Sequence, residues 1–235
     1  MPAVIFLLIA TINAAGQNEQ QNKQKEKVET TQLLNTDKEP KIKGRKFVSL
    51  FNGSDLQGWT TQQGTMKFEV VDGVIVGTCS EGPSTFLCTE KEYVDFIFTC
   101  ETKWIVDGNS GVQIRSYIQK DPNRNTVIGP QAELEDLAKN GRNWSGGIYG
   151  QGLGKWLYPL TAPEHEAARN AIDRSTWNRL TIKVEGNVYK TWINGIPAAH
   201  WVDEENEFPK GFIGLQVHGG KQGILQWRNL KIKEL

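Results

Sequence analysis

Apolar and polar residues alternate with a period of two through most of the chain after residue 46. Phe96, Phe98, Cys100, Thr102 and Trp104 interleave with Ile97, Thr99, Glu101 and Lys103. Leu180, Ile182 and Val184 repeat the pattern, as do Leu215 and Val217 near the C-terminus. Side chains of a strand point alternately to its two faces, so this period predicts half-buried strands, each with one apolar and one polar face. Turn-forming groups fall between them at Asp72-Gly73, Asp107-Gly108-Asn109, Glu185-Gly186-Asn187, Asn194-Gly195 and Gly219-Gly220. That spacing suits an antiparallel sandwich, and the alternating strand and helix patterns of a parallel sheet are absent. One helical stretch is expected, Glu164 to Ile172. It is opened by Thr161-Ala162-Pro163-Glu164, a capping-box pattern with proline in the first turn, and reads as a surface insertion. The expected fold class is all-β: two antiparallel sheets with one short helical insertion.

Two segments before residue 46 break the pattern. Val4 to Ile12 is an apolar run of signal-peptide length followed by the small residues Asn13-Ala14-Ala15-Gly16, so residues 1–16 read as a signal-like segment, although no Lys or Arg precedes the run. The run is short for a bilayer span, and no Cys follows at a lipid-anchor position, which points to a soluble periplasmic or secreted product. Residues 17–45 are mostly Gln, Asn, Lys, Glu and Thr; such a stretch buries too little to offset its ordering entropy and reads as a polar flexible linker. The folded unit is then residues 46–235.

Composition narrows the partners. Lys plus Arg and Asp plus Glu both number 27, so no global field steers the protein to nucleic acid or to an acidic membrane surface. Eight Trp stand beside nine Phe, favouring a side chain that suits sugar faces as well as cores. Cys79, Cys88 and Cys100 allow at most one disulfide; Cys79 and Cys88 could pair across a hairpin, or all three could be small buried hydrophobes. No zinc-ligand spacing is present.

The opening Leu50-Phe51-Asn52-Gly53-Ser54-Asp55-Leu56-Gln57-Gly58-Trp59 resembles the first strand and turn of the 3-keto-disaccharide hydrolase family. Further blocks agree in order: Gly108 to Ser116, Gly129 to Asp136, Ser145-Gly146-Gly147-Ile148-Tyr149, Trp177-Asn178 with Asn194-Gly195, and Gly211 to Gly219 followed by Arg228 to Leu235. Single blocks are common motifs; their order and spacing are specific. The resemblance implies a concanavalin A-like jelly-roll sandwich whose curved inner sheet holds a carbohydrate site. It also implies activity on glycosides already oxidised to a ketone at C3.

Such substrates need less than an ordinary glycosidase, which sets two carboxylates across the bond. The ketone acidifies the hydrogen on C2. One base removes it, the enolate expels the C1 substituent, and water adds to the enone, so the site needs a base, a donor for the enolate oxygen and an acid. Counting by twos puts Gln131, Glu133 and Glu135 on one face of a strand, with Ala132, Leu134 and Asp136 on the other. That face is either solvated or a site. In the family match it belongs to the concave sheet, which makes Glu133 the candidate base or metal ligand.

By the same count Gln113 and Arg115 share a face, and Arg115 could hold the enolate or pair with a carboxylate. Gln216 and His218 repeat the arrangement. Histidine as a residue type titrates near neutrality and ligates metals, so His218 could serve with Glu133 on a divalent metal ion. Tyr149 is a candidate donor or acid on a loop at the cleft mouth, and Trp144 and Trp156 are candidate sugar platforms, while Trp59, Trp104, Trp177 and Trp227 are assigned to the core. The expected partner is an oxidised disaccharide or other glycoside. Two alternatives stand: a carbohydrate-binding module on the same fold, keeping Trp144 and Gln113 without proton transfer, and a glycosidase of unoxidised glycans pairing Glu133 with Glu135 or Asp136.

Overall fold

The computed structural model describes residues 32–136, 142–220 and 222–235. The signal-like segment 1–16 and residues 17–31 of the polar stretch lie outside the described residues. The first half of the fold supplies β1 (Val48–Ser49), β2 (Trp59–Gln62), β3 (Phe68–Val71), β4 (Val74–Cys79), β5 (Thr85–Thr89), β6 (Phe96–Val106) and β7 (Ser110–Gln119). The second supplies β8 (Thr126–Leu134), β9 (Ile148–Gln151), β10 (Lys155–Tyr158), β11 (Asn178–Glu185), β12 (Val188–Ile193), β13 (Ile196–Val202), β14 (Phe212–Val217) and β15 (Gly223–Glu234).

These strands form two antiparallel sheets, as the alternation predicts. The first runs β13-β12-β11-β6-β15-β4-β3, with β1 also on β15; the second runs β10-β9-β8-β7-β14-β5-β2. Phe96, Phe98, Cys100 and Trp104 of β6 and Leu180, Ile182 and Val184 of β11 meet Val112, Ile114, Ala132, Leu134, Leu215 and Val217 of the second sheet in one core. Burying each large aliphatic or aromatic side chain contributes about 1.5–3 kcal/mol, so the inward half of the alternation supplies most of the driving force. The outward half of the second sheet carries the site.

Four local expectations are corrected. The helical stretch is shorter, a 3₁₀ turn at Pro163–His165 running into the helical turn α1 (Glu166–Arg169); the N-cap is Ala162, whose side chain cannot cap, and the Thr161 capping box does not form. All three thiols are free and buried. Cys79 sits opposite Gly223 in the first sheet and Cys88 opposite Gly214 in the second, so they do not share a hairpin. Trp177 is only half-buried, under the Arg228 guanidinium at 4.1 Å.

The polar stretch is also not linker as far as residue 45. The folded unit begins at Leu33. Asn35 Nδ2 donates to Thr191 O at 2.9 Å, Trp192 Nε1 donates to Asp37 O at 2.9 Å, and Glu39 pairs with Arg179 at 2.6 Å. Composition missed this strap because hydrogen bonds and ion pairs to β11 and β12 fasten its polar side chains and backbone.

One correction bears on the site. The pairing of β7 shifts register between Gln113 and Tyr117 against β8, and between Phe212 and Gly214 against β14. Arg115 stands at this bulge with φ +45°, a left-handed conformation. Gly211 permits it: a Cβ there would lie 2.3 Å from the Arg115 carbonyl carbon. A bulge inserts one residue into the alternation, so Ser116, not Arg115, returns to the face of Gln113. Arg115 turns away, 1% exposed, and donates to the carbonyls of Val94, Gly186 and Phe208 and to Asp95.

Candidate functional site

The polar face of the second sheet carries a row of side chains in register. Gln113 of β7 lies opposite Gln131 of β8, Gln131 opposite Tyr149 of β9, and Tyr149 opposite Trp156 of β10. Gly111, opposite Glu133, keeps the hollow open: a Cβ there would lie 2.5 Å from the Gln131 side chain. The result is a cavity of about 130 Å³ lined by Asn109, Gln131, Glu133, Glu135, Arg142, Tyr149, Gln151, Trp156, Gln216 and His218. Phe86, Cys88, Val127 and Phe212 form a small second apolar cluster on the same sheet.

Glu133 is 5% exposed and its carboxylate is met by amides on both oxygens. Asn109 Nδ2 donates to Oε1 at 2.6 Å and Gln131 Nε2 to Oε2 at 2.8 Å. Its backbone is fixed as well, Glu133 N donating to Gly147 O at 2.9 Å and Gly146 N to Glu133 O at 2.8 Å. The Ser145-Gly146-Gly147 segment thereby sets the depth of the carboxylate. A buried carboxylate needs such donors, and these two leave it aimed at the cavity.

Glu135 is engaged differently. Arg142 Nε donates to its Oε1 at 3.0 Å, a second guanidinium hydrogen reaches the same oxygen, and Trp144 N donates to Oε2 at 2.7 Å. Arg142 in turn lies over the Trp144 ring at 4.0 Å, and Trp144, Trp156 and Tyr149 meet edge to face. Below them Arg174 stacks on Trp104 at 3.9 Å and donates to Glu135 O; burial draws its guanidinium down from the usual arginine range. On the far wall His218, just past β14, donates from Nδ1 to Gly219 O at 2.7 Å, a carbonyl being an acceptor only. Cys79 lies behind this wall, 4.0 Å from Asn109 O, its thiol pushed up by burial against a bond from the His218 backbone.

The structure therefore brings together Glu133, His218, Tyr149, Gln131, Glu135, Trp156 and Gln216 around one cavity. Gln113 lies beneath it, bonded to Gln131. Trp144 is beside it, behind Arg142, and does not line it. Tyr149 is on β9 rather than on a loop. Arg115 does not join the set, for the bulge sends it to Asp95. Sequence reasoning missed Asn109, Arg142 and Gln151. Asn109 carries only a turn signal in the sequence, whereas Gln151 follows Tyr149 by two, so the same count of faces finds it. Arg142 carries no periodic signal.

The donor set falls short of the divalent metal site suggested for Glu133 and His218. Among the described residues no group of three His, Cys, Asp or Glu could hold an ion. No step below is routed through a metal.

Comparison with known proteins decides the family. A family model of 3-keto-alpha-glucoside-1,2-lyase-like domains matches residues 46–233. The chain belongs to this family. Members of this lyase-like family are carbohydrate-active domains, and the solved structures agree on the fold. A glycosyl hydrolase-like protein from Parabacteroides distasonis ATCC 8503 is 23% identical, with a TM-score of 0.58 over 81% of this chain and 94% of its own. A protein of unknown function with a galectin-like fold from Bacillus subtilis is 13% identical, with a TM-score of 0.60 over 80% of this chain and 94% of its own. No curated protein sequence matches significantly.

Proposed function

We propose that this lyase-like domain is an exported enzyme that cleaves 3-keto-glycosides, with the hollow of the second sheet as its active site and Glu133 as its base. The observation that carries the reading is the buried Glu133 carboxylate, held by the amides of Asn109 and Gln131 and facing a cavity it shares with His218, Tyr149 and Arg142. Export rests on the apolar run Val4 to Ile12.

Glu133 takes the hydrogen from C2, and the C2–H electron pair forms the enolate with C3. The enolate oxygen is met by hydrogens from Tyr149 or Arg142. As the C3 carbonyl re-forms, a C1–C2 double bond appears and the C1–O bond breaks, its electrons leaving on the departing oxygen, which takes the Nε2 proton of His218; His218 enters the cycle as the imidazolium, its Nδ1–H staying on Gly219 O. Water then adds its oxygen to C1 and yields a proton to His218, while Glu133 returns its proton to C2. The sum is hydrolysis of the glycoside, and both side chains end in their starting states.

Glu135 argues against a two-carboxylate glycosidase of plain sugars. It is ion-paired with Arg142 and accepts from the Trp144 amide, which opposes its use as the nucleophile or acid of such an enzyme.

The test is turnover of matched plain and 3-oxidised disaccharides by the native chain and by Glu133→Gln. The native chain should act on the oxidised sugars alone. The variant should lose at least about a hundredfold in kcat while still binding them, the range expected when a positioned base is removed. Binding without turnover in the native chain would make the domain a carbohydrate-binding module. Equal turnover of plain sugars would make it a conventional glycosidase.

A further inference from the structure

Beneath the cavity the buried polar side chains form a one-way chain. Ser116 Oγ donates to Gln113 Oε1 at 2.8 Å, and Gln113 Nε2 donates to Gln131 Oε1. Gln131 Nε2 donates to Glu133 Oε2 at 2.8 Å and to Gln216 Oε1 at 3.2 Å, and Gln216 Nε2 passes the direction on to Gln151 Oε1 at 3.3 Å. Ser116, Gln113, Gln131 and Gln216 are all buried.

A carboxamide places an acceptor and a donor symmetrically, so turning it over exchanges them. If the Gln131 amide turned over, its oxygen would face a Glu133 oxygen and Gln216 Oε1, and its nitrogen would face Gln113 Nε2. Repairing those contacts requires Gln113, Gln216 and, beyond it, Gln151 to turn as well, and Glu133 to carry a proton that it can donate. The chain thus has two self-consistent settings, one for each protonation state of Glu133. The setting observed is that of the carboxylate.

We infer that Gln113 and Ser116, neither of which lines the cavity, are positioning residues that hold the Gln131 N–H on Glu133 and so keep Glu133 in its deprotonated form. That Glu133 acts as a base rests on the reaction proposed above; the bias on its protonation does not. Among the described residues, those that line the cavity with Glu133 and carry polar or charged groups toward it include Asn109 from the turn before β7, Tyr149 from β9, His218 beyond β14, and Glu135 with its partner Arg142. Substitutions under the floor leave all of these in place.

The test reads Glu133 directly. The carboxyl carbon resonance of Glu133, assigned by its absence in Glu133→Gln, is followed through a pH titration in the full native chain, in Gln113→Met and in Ser116→Ala. Met fills the space of Gln113 but removes its donor, freeing the Gln131 amide to turn over. The Glu133 midpoint should rise by about one pH unit in Gln113→Met, a tenfold gain in proton affinity, and by less in Ser116→Ala. The acidic limb of the kcat/KM profile should rise by the same amount. An unchanged midpoint in both variants, with lowered Tm, would reduce Gln113 and Ser116 to packing and overturn the inference. If Gln113→Met does not fold, Ser116→Ala decides alone. A shifted midpoint with no turnover of any 3-keto-glycoside would leave the positioning intact and sink the reaction instead.

Discussion

The outward faces of the two sheets carry polar side chains at alternate positions, yet they answer that polarity in opposite ways. On β11 and β12 the chain covers its own face: Asp37 pairs with Lys190 at 2.7 Å, Glu39 with Arg179, and Thr181 Oγ1 donates to Glu39 Oε1 at 2.6 Å. Arg179 and Lys190 there each meet a carboxylate supplied by the strap. On β7, β8 and β14 the outward side chains at the hollow are neutral amides gathered about one carboxylate, which faces a cavity. Matched charges fasten a face. Directional donors around an open carboxylate leave it able to act on something that enters.

That contrast predicts that charges away from the hollow serve stability. Arg115 gives the largest effect, since its side chain is buried and joins Asp95 to three carbonyls at one end of the sandwich. Arg115→Met takes the buried donor from Val94 O and Gly186 O and the counter-charge from Asp95, and should cost about 3 kcal/mol by urea unfolding, while kcat of the folded protein changes far less than in Glu133→Gln. A catalytic collapse with unchanged stability would return Arg115 to the site.

Removing the strap should cost less. A chain beginning at residue 46 loses Asn35, Asp37 and Glu39 and uncovers Trp192, which is now fully buried with its Nε1 bonded to Asp37 O. We expect a loss of about 2 kcal/mol and a red-shifted tryptophan emission, against no loss for a chain beginning at residue 32. Equal stability of the two chains would return the whole polar stretch to linker.

Much of the fold was legible because two-residue periodicity and core burial are local signals. Ala132 and Leu134 point to the core and Gln131 and Glu133 away from it, as counting by twos requires. The count failed at Arg115 because a bulge depends on Gly211, almost a hundred residues away in the chain, and no window around Arg115 contains that contact. It failed for the strap because an isolated polar stretch does not reveal that Arg179 and Lys190 wait on another element. Within the site, strand-borne residues were accessible by parity, whereas Asn109 and Arg142 reach the cavity from irregular segments where position follows from tertiary packing.

The smallest effect lies where the strap meets the edge of the second sheet. Tyr158 of β10 donates its hydroxyl hydrogen to Leu33 O at 2.5 Å, so its contact with His165 Nε2 at 3.0 Å must be donated by the imidazole. The other nitrogen, Nδ1, is buried without a hydrogen-bond partner. Protonating it would bury an N–H with no acceptor, and burial, with Arg169 nearby, accordingly holds His165 below its usual value of 6.5. A lowered histidine value favours the folded state fully above pH 6.5, and that contribution fades as pH falls below it toward the folded-state value. His165→Phe removes the titration while filling the same space. The Tm difference between native and variant chains should therefore stay level from pH 8 to 6.5 and move against the native chain as pH falls further. A difference that stays flat across the whole range would show that the seam between strap and sheet does not sense this proton.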